Sequence, residues 1–178
     1  MDILTALQNR RSIRRFREGG IAEETLNLIL DAARVAPSWK NMQCWRFIVV
    51  RDDKKKRALA ETLHEGNPAV EAIIQAPVVI VQCADPMDSG IIDGKEYYLL
   101  DAGIAMQQLI LAAHAQGLGT CWVAWFDEDK VRAVCRIPSA YKVVAMTPLG
   151  VGAQEPAARP RKKLEEIAFK EEWGLPLY

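Results

Sequence analysis

Apolar residues recur every three or four positions in the first part of the chain, a pattern that predicts amphipathic helices. The first helix covers residues 2–9, with Asp2 as its N-terminal cap. Its inward-facing residues are expected to be Ile3, Leu4 and Leu7. A longer helix covers residues 22–34, and Pro37 prevents it from continuing.

Runs of apolar and β-branched residues predict the strands of a sheet. The predicted strands are residues 46–51, 78–84, 120–125 and 143–151. Shorter helices are predicted at residues 53–63, 68–75, 127–135 and 164–172. Helices and strands mix without strict βαβ alternation, so the predicted fold class is α+β, as a single domain over residues 1–178.

The segment formed by residues 97–116 is apolar on almost every side. Such a helix needs neighbours all round, as the central helix of the domain or as part of a subunit interface. The polar residues that interrupt it are Asp101, Gln107, Gln108 and His114. These residues make the segment too polar to span a bilayer.

Composition and charge exclude several classes of protein. Lys+Arg and Asp+Glu both number 23, so the net charge is zero and gives no electrostatic reason to expect a nucleic-acid or membrane partner. The four cysteines form no CxxC pair, which suggests buried free thiols, no metal site and a reducing cytoplasm. The first residues lack the basic and apolar regions of a signal peptide. We therefore expect a cytoplasmic protein.

No familiar catalytic motif is present. The chain lacks GxGxxG, a Walker loop, GxSxG and HExxH. Its only histidines, His64 and His114, stand far apart, and His114 lies on the apolar helix, where a core role is the simpler interpretation. If the protein is an enzyme, a bound cofactor therefore supplies the chemistry.

Three polar clusters remain as candidates for binding. Residues 10–16 carry four arginines and a serine, which suit a phosphate or form a solvated basic face. Residues 36–43 offer Ser, Asn, Gln and Trp side chains, which suit the hydroxyls or the edge of a heterocycle. Residues 158–163 are again basic, as a second anion-binding segment or a surface linker.

The order of these clusters resembles the nitroreductase family. A helix, RRSIRRF, a second helix ending in APSWKNMQ and a strand RFIVV follow one another as in the N-terminal half of that family. The resemblance continues through DAGIAMQ, GLGTCW, Phe126-Asp127 and the terminal RPRKKLEEI. It covers nearly the whole chain, in order and at the expected spacing, which makes the set far more specific than any single motif.

The resemblance implies a bound FMN whose phosphate is held from both ends of the chain. In the family, an Arg-Arg-Ser motif and a terminal Arg-Pro-Arg motif bind the phosphate and the ribityl chain. The corresponding residues here are Arg10, Arg11, Ser12, Arg159 and Arg161. Arg14 is expected to supply a cation near the pyrimidine side of the flavin, where it would stabilise the anionic reduced ring.

The resemblance also implies a homodimer in which each flavin meets both subunits. A Pro-Ser-x-x-Asn loop reaches the flavin of the other subunit, and a strand after Gly-Leu-Gly lies behind the isoalloxazine ring. The loop residues here are Pro37, Ser38, Trp39 and Asn41. The strand residues are Trp122, Val123 and Ala124, and Asn67 occupies a stretch where some relatives bind the flavin.

Three features depart from the family pattern. Many relatives have glycine where this chain has Ala124-Trp125, so Trp125 crowds or reshapes the pocket. No lysine accompanies Asn67, although some relatives have one there. Residues 85–96 are also short compared with longer relatives, which predicts a more open pocket.

The sequence thus predicts an FMN-dependent oxidoreductase that takes electrons from NAD(P)H and reduces a quinone or nitroaromatic by a ping-pong mechanism. The resemblance implies a nitroreductase-like fold, with a central, mostly antiparallel sheet flanked by helices and a C-terminal tail that wraps the partner subunit. A reductive dehalogenase or a flavin-consuming enzyme is the alternative among enzymes. A non-catalytic flavin-binding or redox-sensing protein is the alternative outside them.

Overall fold

A four-stranded antiparallel sheet lies at the centre of the computed structural model, which describes residues 1–178. Its strands are β1 (Trp45–Val50), β2 (Val78–Ala84), β5 (Gly119–Thr120) and β6 (Lys142–Gly150). They are arranged in the order β1-β2-β6-β5. A separate two-stranded hairpin consists of β3 (Ile91–Ile92) and β4 (Lys95–Glu96).

Helices cover both faces of the sheet. They are α1 (Ile3–Asn9), α2 (Glu23–Arg34), α3 (Asp53–Ala60), α4 (Val70–Gln75), α5 (Tyr97–Ala115) and α6 (Glu128–Cys135). The α+β class and the mostly antiparallel sheet predicted from the sequence are confirmed. Aspartates at the predicted caps of α1 and α6, Asp2 and Asp127, accept hydrogen bonds from backbone N–H groups of the first turn.

Strand β2 carries the core because both of its faces are covered. Val78 and Ile80 pack in one cluster with α2 and α5. Val79 and Val81 point to the opposite face and pack in a second cluster with α3, α4 and α6. Side chains alternate along a strand, so burial on both faces requires the continuous apolar run seen in the sequence.

Helix α5 lies against the sheet and α2, as its apolar sequence predicts. Met106 and Leu109 are fully buried in the same cluster as the residues of α2. Its outer face stays uncovered in the single chain, where Leu99, Leu100 and Ile104 are exposed. No helix in the structure combines the length and the apolar character that crossing a bilayer requires.

The prediction that Ile3, Leu4 and Leu7 of α1 face inward is wrong for the single chain. All three side chains are exposed, and Ala6 is the one buried residue of the helix. The short helix contacts α5. Its apolar stripe therefore adds to uncovered apolar surface rather than to the core.

The strand predicted at residues 120–125 is interrupted. Thr120 pairs with Leu149, and Val123 pairs with Met146 in an isolated bridge, so the register is continuous but the ladder is not. Between them this register places Pro148 opposite Cys121. Proline has no N–H to donate, which removes one ladder hydrogen bond at this point.

The helix predicted at residues 164–172 is also wrong beyond its first turn. A single 3-10 turn, Leu164–Glu166, is all that forms there. Leu164 and Ile167 are exposed, so no apolar face packs against the rest of the chain. A short helix without such packing is marginal in water, which explains why the pattern does not continue as a helix.

The basic segment after α1 is fixed to the edge strand of the sheet. Ser12 forms a parallel bridge with Thr120, and the N–H of Ile13 donates to the carbonyl of Thr120 at 2.8 Å. Gly119 makes room for this contact, because a Cβ at that position would lie 2.7 Å from the Cβ of Ile13. The absence of a side chain at residue 119 thus sets how closely the basic segment approaches the sheet.

Replacing Gly119 with alanine should therefore destabilise the protein. We expect Gly119→Ala to lower the free energy of unfolding by about 1–3 kcal/mol, because overpacking forces the isoleucine side chain or the backbone to move. Gly20→Ala is the matched control, since a Cβ there meets nothing within 4 Å. Urea unfolding at fixed protein concentration measures both, and equal stabilities of the two variants would contradict the argument.

Candidate functional site

Arginines from the two ends of the chain line one cavity of about 530 Å³. The cavity lies where the end of α1 and the segment after it meet the C-terminal extension. The predicted phosphate-binding residues that line it are Arg10, Arg11, Ser12, Arg14, Arg159 and Arg161. Leu7, Gln8 and residues 156–158 complete the lining, and of these only residue 158 lies in a cluster predicted to bind an anion.

No carboxylate balances the positive charge of this cavity. Its five arginines take part in none of the ion pairs in the structure. Arg11 instead donates to the carbonyls of Gln8 at 2.6 Å and Arg10 at 2.9 Å. The Nε of Arg14 is buried with no hydrogen-bond partner. Unbalanced guanidinium groups and an unpaired buried donor favour an anion-binding site over a solvated basic face.

Burial and the positive potential of the cavity shift the pKa values of two groups, Arg10 and His114. Partial burial, followed by the charges of Arg11 and Arg161, lowers the pKa of Arg10 below its ordinary value. His114 on α5 responds in the same direction, because burial and then Arg10 and Arg11 lower its pKa. Arg161 thus acts on Arg10 from the other end of the chain, and the two basic segments form one electrostatic unit.

The loop formed by residues 38–43 has a strained backbone. Lys40, Asn41 and Gln43 have φ angles of 45°, 59° and 53°. These values lie in the left-handed region, which residues other than glycine rarely adopt. Each such residue costs on the order of 1–3 kcal/mol and persists only where the surrounding structure enforces it. The hydroxyl of Ser38 accepts the N–H of Gln43 at 2.9 Å, which closes the loop and leaves Asn41 exposed.

A buried carboxylate anchors this loop. Asp101 of α5 accepts the N–H of Trp39 at 3.0 Å and the hydroxyl of Ser89 at 2.9 Å. The thiol of Cys44 is a weaker donor at 3.8 Å. Burial and then the charge of Asp101 raise the pKa of Cys44 to about 12, so this thiol stays protonated as a donor.

The ring of Trp39 is held from two further sides. It packs against the ring of Tyr97 with 4.6 Å between centroids. It also lies so close to Gly90 that a Cβ there would come within 2.6 Å of the indole. The loop is therefore fixed through Trp39 to α5 and to the segment that follows β2.

The predicted flavin-facing strand residues lie on the segment beyond β5. Trp122 and Ala124 are exposed, whereas Val123 is buried. Both backbone groups of Val123 bond to Met146, at 2.9 Å and 2.8 Å. Val123 therefore fixes the segment to β6 and leaves its two neighbours with accessible side chains.

Asn67 bonds within the chain. Its amide nitrogen donates to the carbonyl of Trp125 at 2.8 Å, and its amide oxygen accepts the N–H of Ala69 at 3.0 Å. The Trp125 ring also lies near that of His64, with 5.9 Å between centroids. Asn67 thus holds Trp125 in place, and that tryptophan stays largely exposed.

The structure brings the predicted residues together only in part. The basic residues of both ends share one cavity, but no residue of the 38–43 loop, nor Pro37, Asn67 or residues 122–124, lines it within the single chain. Asp101 was not predicted as a site residue. A lone carboxylate in an otherwise apolar helix was the available signal, since a buried charge needs partners.

Comparison with known proteins places the chain in a family. The family model of the nitroreductase family matches residues 7–75 and 67–151. A Methanothermobacter thermautotrophicus protein named as an NADH dehydrogenase/NAD(P)H nitroreductase is 36% identical over 163 residues, covering 89% of this chain and 82% of that protein.

Solved structures agree with this match. A nitroreductase family protein from Clostridium novyi NT has a TM-score of 0.84 and 39% identity, covering 99% of this chain and 97% of its own. A Clostridium difficile R20291 protein described as an FMN-dependent nitroreductase has a TM-score of 0.83 and 29% identity, covering 95% and 99%. The chain therefore belongs to the nitroreductase family, and the resemblance stated from its motifs is confirmed.

Proposed function

We propose that the protein binds FMN, takes electrons from NAD(P)H and reduces a small-molecule acceptor such as a quinone or nitroaromatic. The observation that carries this proposal is the cavity of unbalanced arginines from both ends of the chain, which suits a phosphate dianion. Its membership of the nitroreductase family supports the same chemistry. The Clostridium difficile relative described as FMN-dependent supports the cofactor.

The residues present fit this cofactor. The phosphate and ribityl chain would be held by Arg10, Arg11, Ser12, Arg159 and Arg161. Arg14, whose buried Nε has no partner in the chain, would place its cation beside the pyrimidine. When bound, FMN supplies the hydride-transfer chemistry that no side chain of the protein offers.

The remaining predicted residues would surround the ring. Trp122, Val123 and Ala124 would lie behind it, with Val123 fixing that segment to the sheet. Asn67 would act at its edge and through its hold on Trp125. No protein acid or base is assigned, so solvent supplies the protons and the chain contributes binding, orientation and a cation.

We further propose a homodimer of this single-domain chain. Two exposed apolar surfaces could form the subunit interface. One consists of the uncovered apolar residues of α1 and α5, and the other of the tail side chains Trp173 and Tyr178. In the dimer, residues 37–41 of one subunit would complete the flavin site of the other. That arrangement explains why Asn41 is exposed and away from the arginine cavity of its own chain.

Loss of a cavity arginine should weaken FMN binding more than it weakens folding. We expect Arg10→Ala or Arg161→Ala to weaken FMN binding by about 1.5–3 kcal/mol, the scale of a hydrogen bond to a charged group. Arg15→Ala is the control, because Arg15 is exposed and does not line the cavity. Titration of apo-protein with FMN and riboflavin decides the case. Equal affinity of the unmodified protein for both flavins would contradict phosphate recognition.

Turnover should follow ping-pong kinetics, because donor and acceptor would use one pocket in succession. Initial rates measured with NAD(P)H and a quinone should give parallel double-reciprocal lines. Intersecting lines would indicate a ternary complex and contradict the shared pocket. A protein that retains FMN yet oxidises almost no NAD(P)H would instead be a flavin-binding or redox-sensing protein.

The shared site predicts complementation between two defective chains. One chain carries Arg10→Ala and Arg161→Ala, and the other carries Ser38→Ala and Asn41→Ala. In their heterodimer, one site combines both lesions and the other has neither. We therefore expect close to one normally bound FMN per heterodimer, whereas both mutant homodimers bind poorly.

Two different affinity tags allow the heterodimers to be isolated, and FMN titration of each species gives the stoichiometry. A heterodimer whose two sites are equally impaired would refute the cross-subunit arrangement. So would FMN-loaded protein that sediments as a monomer. Binding of FMN only to the dimer would also stabilise the dimer, so sedimentation with and without FMN gives a second measurement.

A further inference from the structure

Asp101 is a buried charge with no cation beside it. Asp101 is one of the few buried polar or charged residues, and it takes part in none of the ion pairs. A carboxylate taken out of water is costly unless hydrogen bonds compensate it. The compensation comes from three donors on two segments, namely the N–H of Trp39 and the thiol of Cys44 on one and the hydroxyl of Ser89 on the other.

The segment that Asp101 holds is the one with the most strained backbone in the structure. Three of the six non-glycine residues with positive φ, namely Lys40, Asn41 and Gln43, lie in the 38–43 loop. Inside the loop, the N–H of Gln43 donates to Ser38 and its side-chain amide donates to Asn41. From outside, Arg46 donates to the carbonyl of Gln43, and the anchors to α5 and to the segment after β2 act through Trp39. Without an external anchor, such a backbone would relax to a less strained form.

We propose that Asp101 is a positioning residue for the cofactor site. Through Trp39 and Ser89 it holds the 38–43 loop in the left-handed form in which Asn41 meets the flavin of the partner subunit. This inference rests on the proposed function, because the loop has a cofactor to meet only if the protein binds FMN. Asp101 itself touches no cofactor and acts through the shape of the loop.

A merely structural role for Asp101 leads to a different expectation. If the carboxylate only stabilised α5 and its surroundings, any substitution that raised overall stability would offset its loss. If it holds the loop, only a substitution that lowers the cost of the left-handed backbone will restore binding. Glycine adopts positive φ without the steric cost of a Cβ, so it distinguishes the two roles.

The first measurement uses Asp101→Asn, which keeps an acceptor for Trp39 but loses the charge. In the full-length dimer we expect FMN affinity to fall about tenfold, the equivalent of about 1.4 kcal/mol. Trypsin should also cut after Lys40 several times faster in the apo variant than in the unmodified apo-protein. Ser89→Ala removes a different donor and should act in the same direction, so the test survives if the asparagine variant folds poorly.

The second measurement adds Lys40→Gly to Asp101→Asn. We expect the double variant to regain at least threefold in FMN affinity, because glycine at residue 40 makes the left-handed loop easier to form. Arg136→Gly is the matched control, since Arg136 has a φ of 55° at the end of α6 and lies outside the loop. That substitution should raise thermal stability in the same way and leave FMN affinity unchanged.

The outcomes separate the two proposals. If the unmodified protein binds no FMN, the proposed function fails and this inference fails with it. If it binds FMN and Asp101→Asn binds equally well, only the positioning role is overturned. Equal rescue by Lys40→Gly and Arg136→Gly would also overturn it, because Asp101 would then contribute stability alone.

Discussion

The mutual repulsion of five guanidinium groups is the interaction on which the site depends. Like charges in one cavity oppose the approach of the C-terminal extension to the segment after α1. The sheet overcomes part of this opposition, because residues 12–13 are hydrogen-bonded to Thr120 and Ala153 to Arg15. In the proposed function, the phosphate of FMN would offset the remaining repulsion and hold the two halves of the cavity together.

The elements with one dominant physical cause could be predicted from the sequence. The apolar run of β2, the stripe of α2 and the aspartate caps follow from burial and backbone satisfaction, and all of them are present. The errors arose where a tertiary constraint decided the outcome. Pro148 interrupts a ladder that residues 120–125 would otherwise complete. The tail lacks the packing partner that a helix there requires.

The candidate site was likewise predictable only in part. Two basic segments were recognisable from residue types, and their meeting in one cavity required the fold. The surroundings of Asp101 could not be predicted because its hydrogen-bond partners come from two other parts of the chain, Trp39 and Cys44 before β1 and Ser89 after β2. A motif shows which polar groups a chain contains, whereas the folded structure determines which of them form hydrogen bonds with one another. The left-handed backbone at Lys40 and Gln43 could not be predicted either, since of the three residues only asparagine is enriched at positive φ.

Because the cavity uses both ends of the chain, it can be completed only at the end of synthesis. Arg159 and Arg161 lie beyond β6, so they leave the ribosome after every strand of the sheet. The sheet and its two helical layers therefore have to form without help from a ligand of the completed cavity. In the proposed function, binding of FMN would then be the closing step of maturation. A released chain that ended before these arginines would contain every strand of the sheet and only one side of the arginine cavity.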